Sequence, residues 1–137
     1  MAAPAGSGPL RVVVVSPARP LFDGAANHLS IESLAGQMGV FPRHADIVAA
    51  LGTGPLAIHN GSKADRYAVS GGFLKVGGAQ VTILVDKAVS AAEVDEAEVK
   101  RELDRAIEAL RHPKSDEEFT RLLAERAWAQ ARLGLRR

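Results

Sequence analysis

The chain carries nucleophilic and titratable side chains, but not in the spacings that make catalytic sites. Its four histidines stand at 28, 44, 59 and 112, and His44 follows Pro42-Arg43 in a stretch that reads as a surface loop. None has a second histidine, a cysteine or a placed carboxylate near it in sequence, so no metal centre is expected. Ser16, Ser30, Ser33 and Ser70 lack the G-x-S-x-G elbow of a serine nucleophile. No G-x-x-x-x-G-K-[ST] loop is present to cradle phosphate. The absence of cysteine removes thiolate chemistry, thiolate zinc and disulfides together. The chemistry that remains is that of binding. Set at 100° per residue, Arg121, Glu125, Trp128 and Arg132 fall on one helical stripe, which is the composition of an anchor for an acidic partner surface. The other reading packs Trp128 on a neighbouring domain or on its own arginine stems, and the sequence leaves both open. Arg126 falls inside the apolar arc of the same helix, where it must snorkel or pair with an acid of the preceding helix.

Two kinds of element must position these residues. From Leu10 to Asp86 the chain is a series of short β-prone runs broken by glycine, proline and asparagine. Strands are expected at Leu10 to Val15, Ala26 to Glu32, Gly39 to Phe41, Ile47 to Leu51, Gly54 to His59, Ala64 to Ser70, Gly72 to Val76 and Gln80 to Val85. Asn60-Gly61 suits the central positions of a type I′ hairpin turn, and Gly77-Gly78 suits another. Short hairpin connections favour an all-antiparallel sandwich of about eight to ten strands. Gly71-Gly72 marks a bulge or a close backbone approach, which in a sandwich docked on another subunit can be intermolecular.

After Asp86 the pattern turns helical, and no glycine occurs from Lys87 to Leu133. Ser90-Ala91-Ala92-Glu93 and Ser115-Asp116-Glu117-Glu118 fit capping boxes, placing helix starts at about residues 91 and 116. Val99, Leu103, Ala106, Ile107 and Leu110 form one apolar stripe, and Phe119, Leu122, Leu123, Ala127 and Leu133 another. With His112-Pro113-Lys114 as the break, an antiparallel helical hairpin follows. Asp95 to Arg111 holds six acidic and four basic residues, while Lys114 to Arg137 holds six basic and four acidic. The expected organisation is a flexible tail over 1–9, a β-sandwich over 10–87 and a two-helix hairpin over 88–137, an α+β chain.

A net charge of +1 from 17 basic and 16 acidic residues excludes a field suited to general nucleic-acid or anionic-membrane binding. The first nine residues have neither the apolar core of a secretory signal nor the arginines of a mitochondrial leader. The longest apolar run, Val12 to Val15, is far too short to cross a bilayer, so any membrane association is expected through a partner.

Two blocks carry a resemblance. Gly36-Gln37-Met38-Gly39-Val40-Phe41-Pro42-Arg43-His44-Ala45 and Val69-Ser70-Gly71-Gly72-Phe73-Leu74-Lys75-Val76 resemble the patterns G-E-L-G-I-L-P-x-H-A-P-L and S-G-G-F-x-E-V of the epsilon subunit of F-type ATP synthases. Val15-Ser16-Pro17, Leu21-Phe22-Asp23-Gly24 and Val81-Thr82-Ile83-Leu84 extend it over nearly the whole chain. The resemblance implies a sandwich followed by a helical hairpin, as the periodicities do. It also implies a non-catalytic central-stalk subunit of a proton-translocating enzyme, bacterial in type and peripheral on the cytoplasmic face of the inner membrane. Its partners would be the gamma subunit and the c-ring, with the alpha and beta subunits transient. By the same resemblance Gly36, Gln37, Met38, Gly39, Phe41, Pro42, Arg43 and His44 face the ring and gamma, and Ser70, Gly71, Gly72 and Phe73 face gamma. Arg121, Arg126, Trp128 and Arg132 would carry an inhibitory contact with an acidic beta segment.

Departures from the pattern are chemical. Gln37 replaces a glutamate, and Asp46 stands where members have the proline of H-A-P. Some bacterial members bind ATP through I-D-x-x-R-A on the first helix. Here Val94-Asp95-Glu96-Ala97-Glu98-Val99 puts Glu98 at the arginine, where its carboxylate would repel a triphosphate, so no nucleotide or other cofactor is expected. The alternative function is a free-standing β-sandwich that binds a small ligand under a helical lid.

Overall fold

A computed structural model describes residues 9–135. The tail read over 1–9 lies outside them except for Pro9, as do Arg136 and Arg137. Ten strands and two helices follow in order: β1 Leu10–Val15, β2 Pro20–Ala26, β3 His28–Ser33, β4 Gly36–Val40, β5 Ile47–Ala50, β6 Thr53–Asn60, β7 Lys63–Ser70, β8 Phe73–Gly77, β9 Gln80–Leu84, β10 Lys87–Ser90, α1 Glu96–Leu110 and α2 Asp116–Gly134. The strands form two five-stranded sheets, sheet A in the order β2-β1-β9-β8-β5 and sheet B in the order β10-β7-β6-β3-β4.

Alternation along the strands builds the core between these sheets. Val12 and Val14 of β1, Leu74 and Val76 of β8, and Val81 and Ile83 of β9 point inward from sheet A. Leu29 and Ile31 of β3, with Leu56 and Ile58 of β6, meet them from sheet B. Each such side chain taken out of water contributes about 1.5–3 kcal/mol. Tyr67 closes one end, donating its hydroxyl to the Leu21 carbonyl at 3.1 Å.

The sandwich is not all-antiparallel, because β1 and β9 run parallel with Arg11 opposite Gln80 and Val15 opposite Leu84. The two strands are joined by most of the domain rather than by a crossover helix, so sequence spacing gives no sign of the pairing. β2 was not expected, since Asp23 and Gly24 interrupt its apolar run; it sits at a sheet edge, where such residues and Pro20 are tolerated. β10 pairs with β7 through Lys87↔Ser70 to Ser90↔Tyr67, so the sheet runs past the junction expected between 87 and 88.

Both hairpin turns sit one residue later than expected. Asn60 pairs with Lys63 and Gly77 with Gln80, leaving Gly61-Ser62 and Gly78-Ala79 as the central residues. Only the glycine of each pair has positive φ, the pattern of a II′ rather than a I′ turn. Asn60 stays in the strand because its side-chain amide donates to the Ala25 carbonyl at 3.2 Å.

The first helix also begins later than residue 91. Ser90 and Glu93 do associate, the Glu93 carboxylate accepting the Ser90 amide at 2.9 Å, but they enclose only a 3-10 turn over Ala91–Glu93. The cap of α1 is Asp95, which accepts the Glu98 amide at 3.2 Å. Ser115 caps α2 by accepting the Glu118 amide at 3.0 Å. The helices are antiparallel: Val99, early in α1, clusters with Ala129 and Leu133, late in α2. α2 packs on α1 and also on β6 and β7, so it is the middle layer over sheet B. Having two neighbours shifts its buried stripe to Leu122, Ala129 and Leu133, while Phe119 is exposed.

Candidate docking surfaces

The β3–β4 turn is fixed by Ser33, whose hydroxyl donates to the Gly36 carbonyl at 2.7 Å and accepts the Ala35 amide at 3.2 Å. Gly36 has φ +122 there. Gln37 and Gly39 project to the outer face of sheet B, and Met38 packs against the core from the other. Beyond the strand a turn closes with the His44 amide on the Phe41 carbonyl at 3.1 Å. Arg43 holds φ 67, the one non-glycine residue with positive φ among those described, and both it and Pro42 are exposed. Such a backbone costs a residue with a Cβ about 1–2 kcal/mol.

Phe41 is 57% exposed yet ordered by stacking. Its ring covers Gly39, where an added Cβ would lie 3.0 Å from it, and stacks on His28 at 5.1 Å between ring centres. His28 in turn stacks on His59 at 4.4 Å. This row of three rings joins the loop to β3 and β6. In sequence His28 and His59 are only scattered histidines, since their pairing depends on the β3–β6 register.

Ser70, Gly71, Gly72 and Phe73 link sheet B to sheet A. Ser70 shares a hydrogen bond of 2.8 Å with Thr53, the Gly71 amide donates to the Gly52 carbonyl at 3.1 Å, and the Gly72 carbonyl accepts the Leu51 amide at 2.9 Å. The close approach expected at the glycine pair is within the chain: a Cβ on Gly72 would lie 1.8 Å from the Leu84 carbonyl oxygen, and its φ is +98. Phe73 then begins an outward row. Ala50, Phe73, Leu84, Val15 and Pro20 lie opposite one another in turn, crossing all five strands of sheet A on the face away from the core. Phe73 is 57% exposed, Leu84 50% and neighbouring Val48 67%. Neither helix covers this face, because the helical layer lies on sheet B.

The helical residues are brought together in part. Arg121 pairs with Glu125 at 2.9 Å and Glu118 at 3.8 Å on its own helix. Arg126 is half-buried and makes no ion pair among the described residues, so of the two outcomes expected for it, snorkelling or pairing with an acid of α1, the pairing is not formed. Trp128 packs at the junction with the sandwich, the Lys87 ammonium and the Arg132 guanidinium each 5.2 Å from its ring centre. Arg132 reaches across to α1, pairing with Glu102 at 2.5 Å. Around these side chains a cavity of about 690 Å³ opens between the helices and Lys87 and Ser70 of the sandwich.

At the base of the helical layer, Arg19 donates to both oxygens of Glu93 at 2.5 and 2.7 Å. Its hydrogen bond from the Ser90 amide, then that from Arg19, hold the Glu93 carboxyl below its ordinary pKa. Burial, reinforced by Asp65, raises the Tyr67 phenol above its ordinary value.

Residues 9–91 match the model of the ATP synthase delta/epsilon chain β-sandwich domain. The ATP synthase epsilon chain of Thioalkalivibrio sulfidiphilus is 35% identical, the match covering 89% of this chain and 88% of that one. The epsilon chain of Halalkalibacterium halodurans is also 35% identical, over 78% and 80%. In fold, the chain superposes with TM-score 0.79 on a chain of the Euglena gracilis mitochondrial ATP synthase OSCP/F1/c-ring structure, at 23% identity over 93% of this chain and 82% of that one. With a family model over residues 9–91 and relatives 35% identical over 78–89% of its length, the chain belongs to the ATP synthase delta/epsilon chain family.

Proposed function

We propose that the chain is a non-catalytic central-stalk subunit of an F-type ATP synthase, joining the gamma subunit and the c-ring through its sandwich and restraining ATP hydrolysis through its helices. The observation that carries this reading is the apolar row over Ala50, Phe73, Leu84, Val15 and Pro20. It spans a whole sheet, faces water in the isolated chain and stays clear of the helices, as a permanent docking face must. The ring-stacked loop at Phe41 to His44 supplies a second, polar-tipped contact for the c-ring. No described helix is long and apolar enough to cross a membrane, so attachment would run through these partners, on the cytoplasmic side in a bacterial cell. Arg121, Arg126 and Arg132, with Trp128, are the α2 residues that would meet acidic segments of the alpha and beta subunits once the helix leaves its seat. Nucleotide has no part in this reading, since Glu98 stands on α1 at the place of the arginine in the ATP-binding pattern, where its carboxylate would repel a triphosphate.

The test is capture by an immobilised ATP synthase head that contains gamma and lacks its own epsilon. The full chain and a chain ending at Ser90 should both be retained, and Phe73→Ser with Leu84→Ser should abolish retention of each. Failure of either unsubstituted form to bind would overturn the docking reading. It would favour instead the ligand-binding module, whose support is the cavity beneath α1 and α2.

A further inference from the structure

Among the three arginines of α2, Arg132 stands apart. Arg121 is paired only with acids of its own helix, which travel with it wherever α2 goes, and Arg126 has no ion pair among the described residues. Arg132 is bound across elements: its side chain is 15% exposed, Nη2 donates to Glu102 of α1 at 2.5 Å, and Nε donates to the Trp128 carbonyl at 3.3 Å. Its guanidinium also lies against the Trp128 ring, which Lys87 of β10 approaches at the same 5.2 Å. One run of contacts therefore ties sheet B to α2 and α2 to α1. We propose that Glu102 is an internal stand-in for an acidic partner surface. It holds Arg132 while α2 is seated, so that this arginine becomes available only when α2 leaves both α1 and the sheet. The inference rests on the reading above that the basic face of α2 docks on acidic protein, and it adds the residue that withholds that face.

The physical consequence is one-sided. A guanidinium this covered has lost much of its water, so removing only Glu102 leaves an uncompensated charge in the seated state and none in the released one. The equilibrium then moves toward release. Lys87 contributes only through the ring, and its loss should act in the same direction with smaller effect.

The chain has no cysteine, so a single one can report seating. Ala68 is buried while its neighbours Tyr67 and Val69 belong to the sandwich core, which points Ala68 outward from β7 beneath α2. In an Ala68→Cys background, Glu102→Gln should speed thiol labelling about tenfold. An Ala26→Cys probe inside the sandwich core should label at an unchanged rate. The exchanged pair Glu102→Arg with Arg132→Glu should restore slow labelling of the Ala68→Cys probe. Glu102→Gln should also raise retention on an immobilised polyglutamate peptide, and adding Arg132→Gln should cancel the gain. Unchanged labelling at 68, equal acceleration at 26, no rescue by the exchanged pair, or no gain on polyglutamate would each overturn the proposal. Labelling is read on the isolated chain, so it can succeed where capture by the ATP synthase head fails; in that case only the docking reading falls.

Discussion

Replacing Gly72 by alanine separates two costs that glycine usually conceals together. The first is conformational: φ +98 is open to glycine and costs a residue with a Cβ about 1–2 kcal/mol. The second is spatial. The new Cβ would sit 1.8 Å from the Leu84 carbonyl oxygen, so the β8 and β9 backbones must part by about 1.5 Å to reach ordinary contact. A shift of that size strains the Leu51 amide bond to the Gly72 carbonyl at 2.9 Å and the Asp86 amide bond to the Ser70 carbonyl at 3.1 Å, each worth about 1 kcal/mol. Gly72→Ala should therefore cost about 3–4 kcal/mol. Gly78 is the internal control, with φ +62 and open space around its Cβ direction, so Gly78→Ala should cost only about 1 kcal/mol. The stiffening of the unfolded chain is the same for both and cancels. Urea unfolding followed by circular dichroism gives the two values directly. If they agree within about 0.5 kcal/mol, the close approach at Gly72 carries no energy and the reasoning fails.

Two further predictions concern protonation. Glu93 has a depressed pKa in the folded chain, so its bonds to Ser90 and Arg19 stabilise fully above the ordinary glutamate range and are lost as pH falls below it. Hydrogen exchange at the Ser90 amide should accelerate in acid relative to other β10 amides, and Glu93→Gln should remove that difference. Tyr67 has a raised pKa, so its contribution is complete below the ordinary phenol value and lost as pH rises through the folded one. Ultraviolet titration of this single tyrosine should give a midpoint above 10.0 in the folded chain and an ordinary one in urea.

The sequence revealed elements whose signal is local. β1, β6 and β7 follow from short β-prone runs bounded by turn residues, and α2 starts where Ser115 and Glu118 say it should. What escaped depends on partners distant in the chain. β10 is four residues long and reads as a linker until β7 lies beside it. Ser90 with Glu93 has the same spelling as a helix start, but a 3-10 turn satisfies it equally well, and Asp95 takes the helix. Of the candidate site, the loop and the Ser70–Phe73 link were visible as motifs. The apolar row was not, because its five residues come from five strands and meet only through register. Trp128 illustrates the same limit: the stripe of charges around it was legible, whereas Lys87, which approaches its ring, comes from another domain.

The position of α2 as the middle layer sets an order of assembly on the ribosome. α1 is synthesised first, but the element it chiefly rests on is α2, which follows it in the chain. While the chain grows, α1 has only its early residues near β10 to settle against, and a solitary fifteen-residue helix is marginal in water. The sandwich can close as soon as β10 emerges, whereas the two helices must order together once α2 has followed α1. A growing chain therefore holds a finished sandwich before it can hold a seated helical layer.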